Sequence, residues 1–133
     1  IGQYPSRDTT EHYLLSWAED KRVPVLGICR GLQMMSVWAG ANLVKQEGHV
    51  GSRHQLVVSD QKANWPSEVN SYHNWSLVSC PDGFEIAARA EDDSIEAIKH
   101  ITLPWEGWMW HPEREASFTQ QDIMRIKRLF DGQ

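Results

Sequence analysis

The chain has 133 residues, 41% of them hydrophobic, with 18 acidic against 13 basic side chains and a formal charge of −5. That length fits one domain with a real core; the acidic balance and lack of a basic cluster argue against a polynucleotide partner, and no apolar run approaches the roughly 18 residues of a membrane span. Two cysteines, Cys29 and Cys80, in a chain without a signal-peptide pattern indicate reduced thiols and a cytoplasmic location.

In chain order, Asp8-Thr9-Thr10-Glu11 has capping-box spacing, and Leu14, Leu15, Trp17 and Ala18 recur at helical intervals. The spacing predicts a helix up to Asp20-Lys21. Residues 22–28 form an apolar run broken only by Pro24, the pattern of a strand buried on both faces in a parallel sheet. This run leads into Gly27-Ile28-Cys29-Arg30-Gly31 and then into a helix carrying Leu32, Met35, Val37 and Trp38 that stops at Gly40.

Strand, Gly-x-Cys-x-Gly and helix in succession are the pattern of a nucleophile elbow with cysteine in place of serine. Both glycines are expected to be required, because side chains two residues either side of the nucleophile would collide across so sharp a turn. At a helix start beside Arg30, Cys29 is expected to favour its thiolate form. Taken alone, the motif also fits an inert core cysteine. Gln33 lies one turn past Cys29, where its amide could face the same pocket mouth; an exposed helical glutamine is the alternative.

Leu43-Val44 reads as a short strand, residues 47–54 as a loop and residues 55–58 as a strand. His49, His54 and His73 suggest a metal, but their spacing fits no common zinc pattern. No metal and no cofactor is therefore expected. Val69-Asn70-Ser71-Tyr72-His73-Asn74-Trp75 reads as a polar loop offering donors suited to a carboxylate, or as an ordinary turn.

Residues 84–90 and 95–100 bracket an acidic turn as a hairpin, and Cys80 sits near a strand end before Pro81-Asp82-Gly83. Five of the seven tryptophans fall from Trp65 onward, for core packing or to line a pocket. Trp105-Glu106-Gly107-Trp108-Met109-Trp110 reads as a strand delivering His111 at its carboxyl end, with Glu113 two residues on. Cysteine, histidine and carboxylate make a nucleophile, base and orienting group. Ile123, Ile126, Leu129 and Phe130 share one face of a closing helix.

Gly27-Ile28-Cys29-Arg30-Gly31-Leu32-Gln33, Val69-Asn70-Ser71-Tyr72-His73 and Trp110-His111-Pro112-Glu113, in that order, resemble the class I glutamine amidotransferases. Within them the chain is most similar to the γ-glutamyl hydrolase branch (peptidase C26-like), whose members cleave γ-glutamyl amides such as γ-glutamyl-γ-aminobutyrate. The resemblance implies an α/β, flavodoxin-like fold, a mostly parallel sheet with helices on both faces. It implies Cys29 as nucleophile, His111 as base and Glu113 as its partner, with the Arg30 backbone N–H as oxyanion donor and Gln33, Ser71, Tyr72 and His73 holding the γ-glutamyl group.

The family's strands and glycine-rich loop before the elbow are not among these residues, so residues 1–133 read as a single amidotransferase-like domain with its amino-terminal part missing. The expected reaction is hydrolysis of a γ-glutamyl amide or glutamine through a thioester, releasing glutamate without a cofactor. Two alternatives stand beside it: a glutaminase subunit supplying ammonia to a synthase partner, and a non-catalytic fragment or binding module of the same fold. Met109 departs from the family, which often has glutamine there.

Overall fold

A computed structural model describes residues 5–46, 49–58 and 61–131; the opening four residues and Glu47-Gly48 of the expected loop lie outside the described residues. The elements, in chain order, are α1 (Pro5–Lys21), β1 (Val25–Ile28), α2 (Arg30–Trp38), β2 (Leu43–Lys45), β3 (Val50–Val58), β4 (Glu68–Tyr72), β5 (Trp75–Leu77), β6 (Phe84–Ala90), β7 (Ile95–His100), β8 (Trp105–Trp108) and α3 (Gln120–Asp131). Short 3-10 turns occupy Gln61–Ala63 and Pro112–Arg114.

Six strands form one sheet in the order β1-β8-β7-β6-β3-β4, and β2 and β5 form a small antiparallel pair. The parallel part of the sheet is β1 beside β8, in the register Val25↔Trp105 to Ile28↔Trp108. The remaining described pairings are antiparallel, because β6 and β7 form the expected hairpin and β3 and β4 fold back on one another. The α/β architecture is thus as expected, with a sheet of mixed direction whose parallel pair carries the elbow.

Alternation along the β8 segment explains why both faces are covered. Trp105 and Met109 point to one side, into a core shared with Leu32, Met34 and Met35 of α2 and Leu15 and Ala18 of α1. Trp108 and Trp110 point to the other, where they pack with Trp65, Ala97 and Ile126 of α3. Trp108 and Trp110 stack with ring centres 5.2 Å apart, and Trp65 meets both edge-on. Full burial of each such ring contributes about 3 kcal/mol, so these tryptophans serve as core rather than as pocket lining. Of the four apolar positions expected on the inner face of α1, Leu15 and Ala18 are buried, whereas Leu14 and Trp17 are largely exposed.

The stretch expected as a polar loop is largely strand. Its backbone groups are satisfied by the ladder with β3, in which Arg53 faces Asn70 and His54 faces Val69. Asn70, Ser71 and His73 are buried, each with hydrogen-bond partners. Polar side chains held inside give a strand without the apolar alternation by which strands are recognised.

Candidate functional site

β1 ends in a backbone that few side chains tolerate. Cys29 has φ 52° and ψ −100°, outside the usual wells for a non-glycine residue, and it opens α2 as the residue before Arg30. The ladder holds it there: the Cys29 N–H donates to the Trp108 carbonyl at 2.7 Å, and the Cys29 carbonyl accepts from the Gln33 N–H at 3.0 Å. A Cβ on Gly27 would stand 2.7–2.8 Å from backbone atoms of Gly31 and Leu32, so glycine is obligatory at that position. Gly31 differs from expectation. A Cβ there would meet nothing within 4 Å among the described residues.

The electrostatics of Cys29 also correct the expectation. Its side chain sits in a residue only 8% exposed. Burial pushes the thiol up from its ordinary range, against the hydrogen bond from the Arg30 backbone N–H and the charge of Arg114, while Glu96 and Glu113 push it further up. The Arg30 guanidinium is engaged elsewhere, at 2.5 Å from both Asp8 and Glu11 of α1. The cation that favours the thiolate is Arg114. Cys80 is likewise pushed up by burial, and its Sγ lies 3.2 Å from the Phe84 carbonyl.

His111 follows β8 and opens the turn Pro112–Arg114, which brings Glu113 back beneath it: His111 Nδ1 lies 2.7 Å from Glu113 Oε2. Burial draws the Glu113 carboxyl up, but its own backbone N–H, the bond from His111 and the charges of His111 and Arg114 outweigh it and hold the group below its ordinary value. Asn70 was not singled out from the sequence as a site residue, yet it clamps the His111 backbone. Its Nδ2 donates to the His111 carbonyl at 2.7 Å and to Glu115 at 2.8 Å, and its Oδ1 accepts from the His111 N–H at 2.9 Å. Glu115 is in turn held by both terminal nitrogens of Arg53.

The residues expected to grip the substrate divide into two kinds. Tyr72 is 39% exposed, lies edge-on to His111 with ring centres 6.2 Å apart, and carries the Arg114 guanidinium over its face at 4.6 Å. Ser71 and His73 are instead turned inward. Ser71 Oγ donates to the His49 carbonyl at 2.6 Å, and His73 bonds to the Trp75 carbonyl and approaches His49 and Glu96. Gln33 is neither exposed nor free at the pocket mouth: it is buried, with Nε2 3.2 Å from the Trp75 carbonyl and 3.8 Å from the sulfur of Met109. The departure at Met109 therefore gives the Gln33 amide a neighbour. A cavity of about 490 Å³, lined by Arg22, His100, Trp105 and Arg128 among others, opens at the opposite end of the β1–β8 pair and takes none of these groups.

His49, His73 and Glu96, distant in sequence, are brought together in the interior. Glu96 lies within a hairpin strand whose sequence carried no signal of a site. No helix among the described residues is long and apolar enough to cross a membrane.

Comparison with known proteins places the chain by family and fold. The chain is 31% identical over 119 residues to the γ-glutamyl-CDP-amidate hydrolase of Campylobacter jejuni, covering 90% of the chain and 57% of that protein. It is 29% identical to a glutamine-hydrolysing GMP synthase subunit of Thermoplasma acidophilum, over 82% of the chain and 57% of that protein. The chain thus spans a little over half the length of these two relatives. Among solved structures, a GMP synthase subunit from Thermoplasma acidophilum superposes with a TM-score of 0.70 at 31% identity, covering 88% of the chain and 60% of that structure. A glutamine amidotransferase from Thermotoga maritima superposes with a TM-score of 0.72 over 98% of the chain and 56% of that structure; at 20% identity it speaks for the fold alone. The fold is that of the class I glutamine amidotransferases, and with the Peptidase C26 family model matching residues 2–113, the chain belongs to that family.

Proposed function

We propose that the protein hydrolyses a γ-glutamyl amide or glutamine through a γ-glutamyl thioester on Cys29. The observation that carries this reading is the joining of two halves of a site by one strand pair. Cys29 is bonded to β8 at Trp108, and three residues further on β8 delivers His111 against Glu113.

With Nδ1–H donated to Glu113, the other nitrogen of His111 is left to act as base. In the first half-reaction His111 takes the Cys29 proton, the sulfur bonds to the γ-carbonyl carbon, and the C–N bond breaks as His111 returns the proton to the leaving amine. In the second, His111 takes a proton from water, whose oxygen bonds to the carbonyl carbon and displaces the sulfur, and the proton passes from His111 back to the Cys29 sulfur as glutamate leaves. The Arg30 N–H, already bonded to the thiol, supplies a donor for the developing oxyanion, worth about 3 kcal/mol. Tyr72, at the surface beside His111, contacts the substrate. Gln33, Ser71 and His73 serve substrate binding by holding the walls around it.

A second reading is favoured by relatives that include glutamine-hydrolysing GMP synthase subunits and an aminodeoxychorismate synthase of Streptomyces griseus. In it the same chemistry releases ammonia from glutamine to a synthase partner.

The test is labelling of the full-length protein with an electrophilic glutamine analogue near pH 7, followed by mass spectrometry. The adduct is expected on Cys29, with a much slower rate in His111→Ala and an unchanged rate in Cys80→Ser. An adduct mainly on Cys80, or glutamate release that survives Cys29→Ser, overturns the reading. Comparing glutamate release from glutamine with that from other γ-glutamyl amides separates the two substrate classes.

A further inference from the structure

His49, His73 and Glu96 stand beneath the outer strands with side chains almost wholly excluded from solvent. Their ring protons can be assigned from their outer partners. His49 Nε2 lies 2.6 Å from Asp92 Oδ2, a carboxylate oxygen that accepts, so Nε2 carries the proton. His73 Nδ1 lies 3.0 Å from the Trp75 carbonyl, again an acceptor, so Nδ1 carries the proton. Two lone pairs, on His49 Nδ1 and His73 Nε2, are left facing each other at 3.0 Å. Glu96 Oε2 is 3.4 Å from the same His73 nitrogen, and neither Glu96 oxygen has a hydrogen-bond partner among the described residues.

Three acceptors converging in the interior, with no donor between them among the described residues, call for a cation. A single proton shared by the imidazoles would set one positive charge 3.4 Å from Glu96 but would be directed along the line between the rings, giving neither Glu96 oxygen a hydrogen bond, and with Asp92 the group would still carry a net negative charge. Burying an uncompensated carboxylate is costly. A divalent ion meets all three acceptors and balances the two carboxylates. The spacing suits it: at metal–nitrogen distances of about 2.0–2.1 Å, tetrahedral ligand atoms stand about 3.3 Å apart, and the three ligand atoms here lie within 4.8 Å of one another, two of their separations being 3.0 and 3.4 Å. The outer contacts are those of a metal site as well, one histidine backed by a carboxylate and the other by a backbone carbonyl.

We propose that His49 Nδ1, His73 Nε2 and the Glu96 carboxylate bind one divalent transition-metal ion of the zinc class, with Asp92 and the Trp75 carbonyl orienting the two imidazoles. The set gives three protein ligands and leaves a fourth coordination position. It ties β7 to the β3–β4 side of the molecule, since His49 immediately precedes β3 and His73 follows β4.

The proposal is tested by titrating the full-length protein with Co²⁺, whose visible absorption reports four-coordinate geometry, and competing with Zn²⁺. One equivalent is expected to bind, to be displaced by Zn²⁺, and to persist in a Cys29→Ser/Cys80→Ser protein. Asp92→Asn, at a side chain 42% exposed, is expected to weaken binding about 10- to 100-fold. Glu96→Gln is expected to abolish the band. Absence of both a cobalt band and a Zn²⁺-dependent rise in Tm in the wild type overturns the site, as does a band lost with the cysteines or unchanged in Asp92→Asn. Nitrogen-15 spectra showing His73 protonated on both nitrogens in the presence of Zn²⁺ would assign the place to a proton and also overturn it.

Discussion

Asn70 holds His111 by its backbone from both sides, accepting from its N–H at 2.9 Å and donating to its carbonyl at 2.7 Å. Asn70 thereby fixes where the proposed base stands at the end of β8 through its backbone. Replacing Asn70 by alanine should let His111 shift, and a displacement of about an ångström costs on the order of 100-fold in turnover. The effect should fall on kcat more than on KM, with about 2–3 kcal/mol lost from unfolding free energy for the three hydrogen bonds removed. Steady-state kinetics and denaturant titration of Asn70→Ala check both; an unchanged kcat in a destabilised variant removes Asn70 from the positioning of the base.

Gly27 and Gly31 should behave oppositely. A Cβ at Gly27 meets the backbone of the first turn of α2 at 2.7 Å and cannot be relieved by a rotamer change, so Gly27→Ala should lose about 2–3 kcal/mol or fail to fold. Gly31→Ala, in a helix and facing open space, should be neutral or gain up to about 1 kcal/mol. Thermal unfolding of the two variants decides it. A severe loss at Gly31 would restore the symmetric requirement expected from the motif.

The two arginines near the elbow separate stability from reactivity. Arg30→Ala should remove the tie between α1 and α2 at a cost of about 1 kcal/mol and leave Cys29 alkylation by iodoacetamide nearly unchanged. Arg114→Ala removes the cation that lowers the thiol, so alkylation at pH 8 should slow. A strong effect of Arg30→Ala on alkylation would show its charge acting on the sulfur.

Stability should fall in mild acid. Burial draws the Asp92 carboxyl up, but bonds from the Ser94 hydroxyl, His49 and the Ser94 N–H hold it well below the usual carboxylate range. Glu115 is held low by Arg53 and Asn70, and Glu113 by its own backbone N–H and His111. A carboxyl lower in the folded than in the unfolded state contributes stability above the unfolded value of about 4, and that contribution is lost as pH falls through the folded values. Tm measured from pH 7 to pH 3 should therefore drop most steeply below about pH 4.5, and Asp92→Asn should flatten the curve. An equal slope in the variant would place the acid sensitivity elsewhere.

What could be read from the sequence was what periodicity and turn chemistry encode locally. The elbow at Cys29, the hairpin of β6 and β7, the strand before His111 and the closing helix all carry their signals within about ten residues. β4 did not, because Asn70 and Ser71 are polar side chains satisfied inside, and their partners, the His111 backbone and the His49 carbonyl, lie tens of residues away. The same holds for His49, His73 and Glu96, whose meeting depends on sheet order rather than spacing. The direction in which Arg30 points was likewise beyond a local reading, since the acidic pair that captures it belongs to a different helix.

The backbone at Cys29, with φ 52° and ψ −100°, sets the nucleophile against the fold that presents it. A side chain held there costs on the order of 1–3 kcal/mol that glycine would not incur. Cys29→Gly should therefore relieve that strain, against the burial lost with the sulfur. Under selection for stability alone that strain would favour glycine at position 29, and the proposed thioester chemistry accounts for cysteine there.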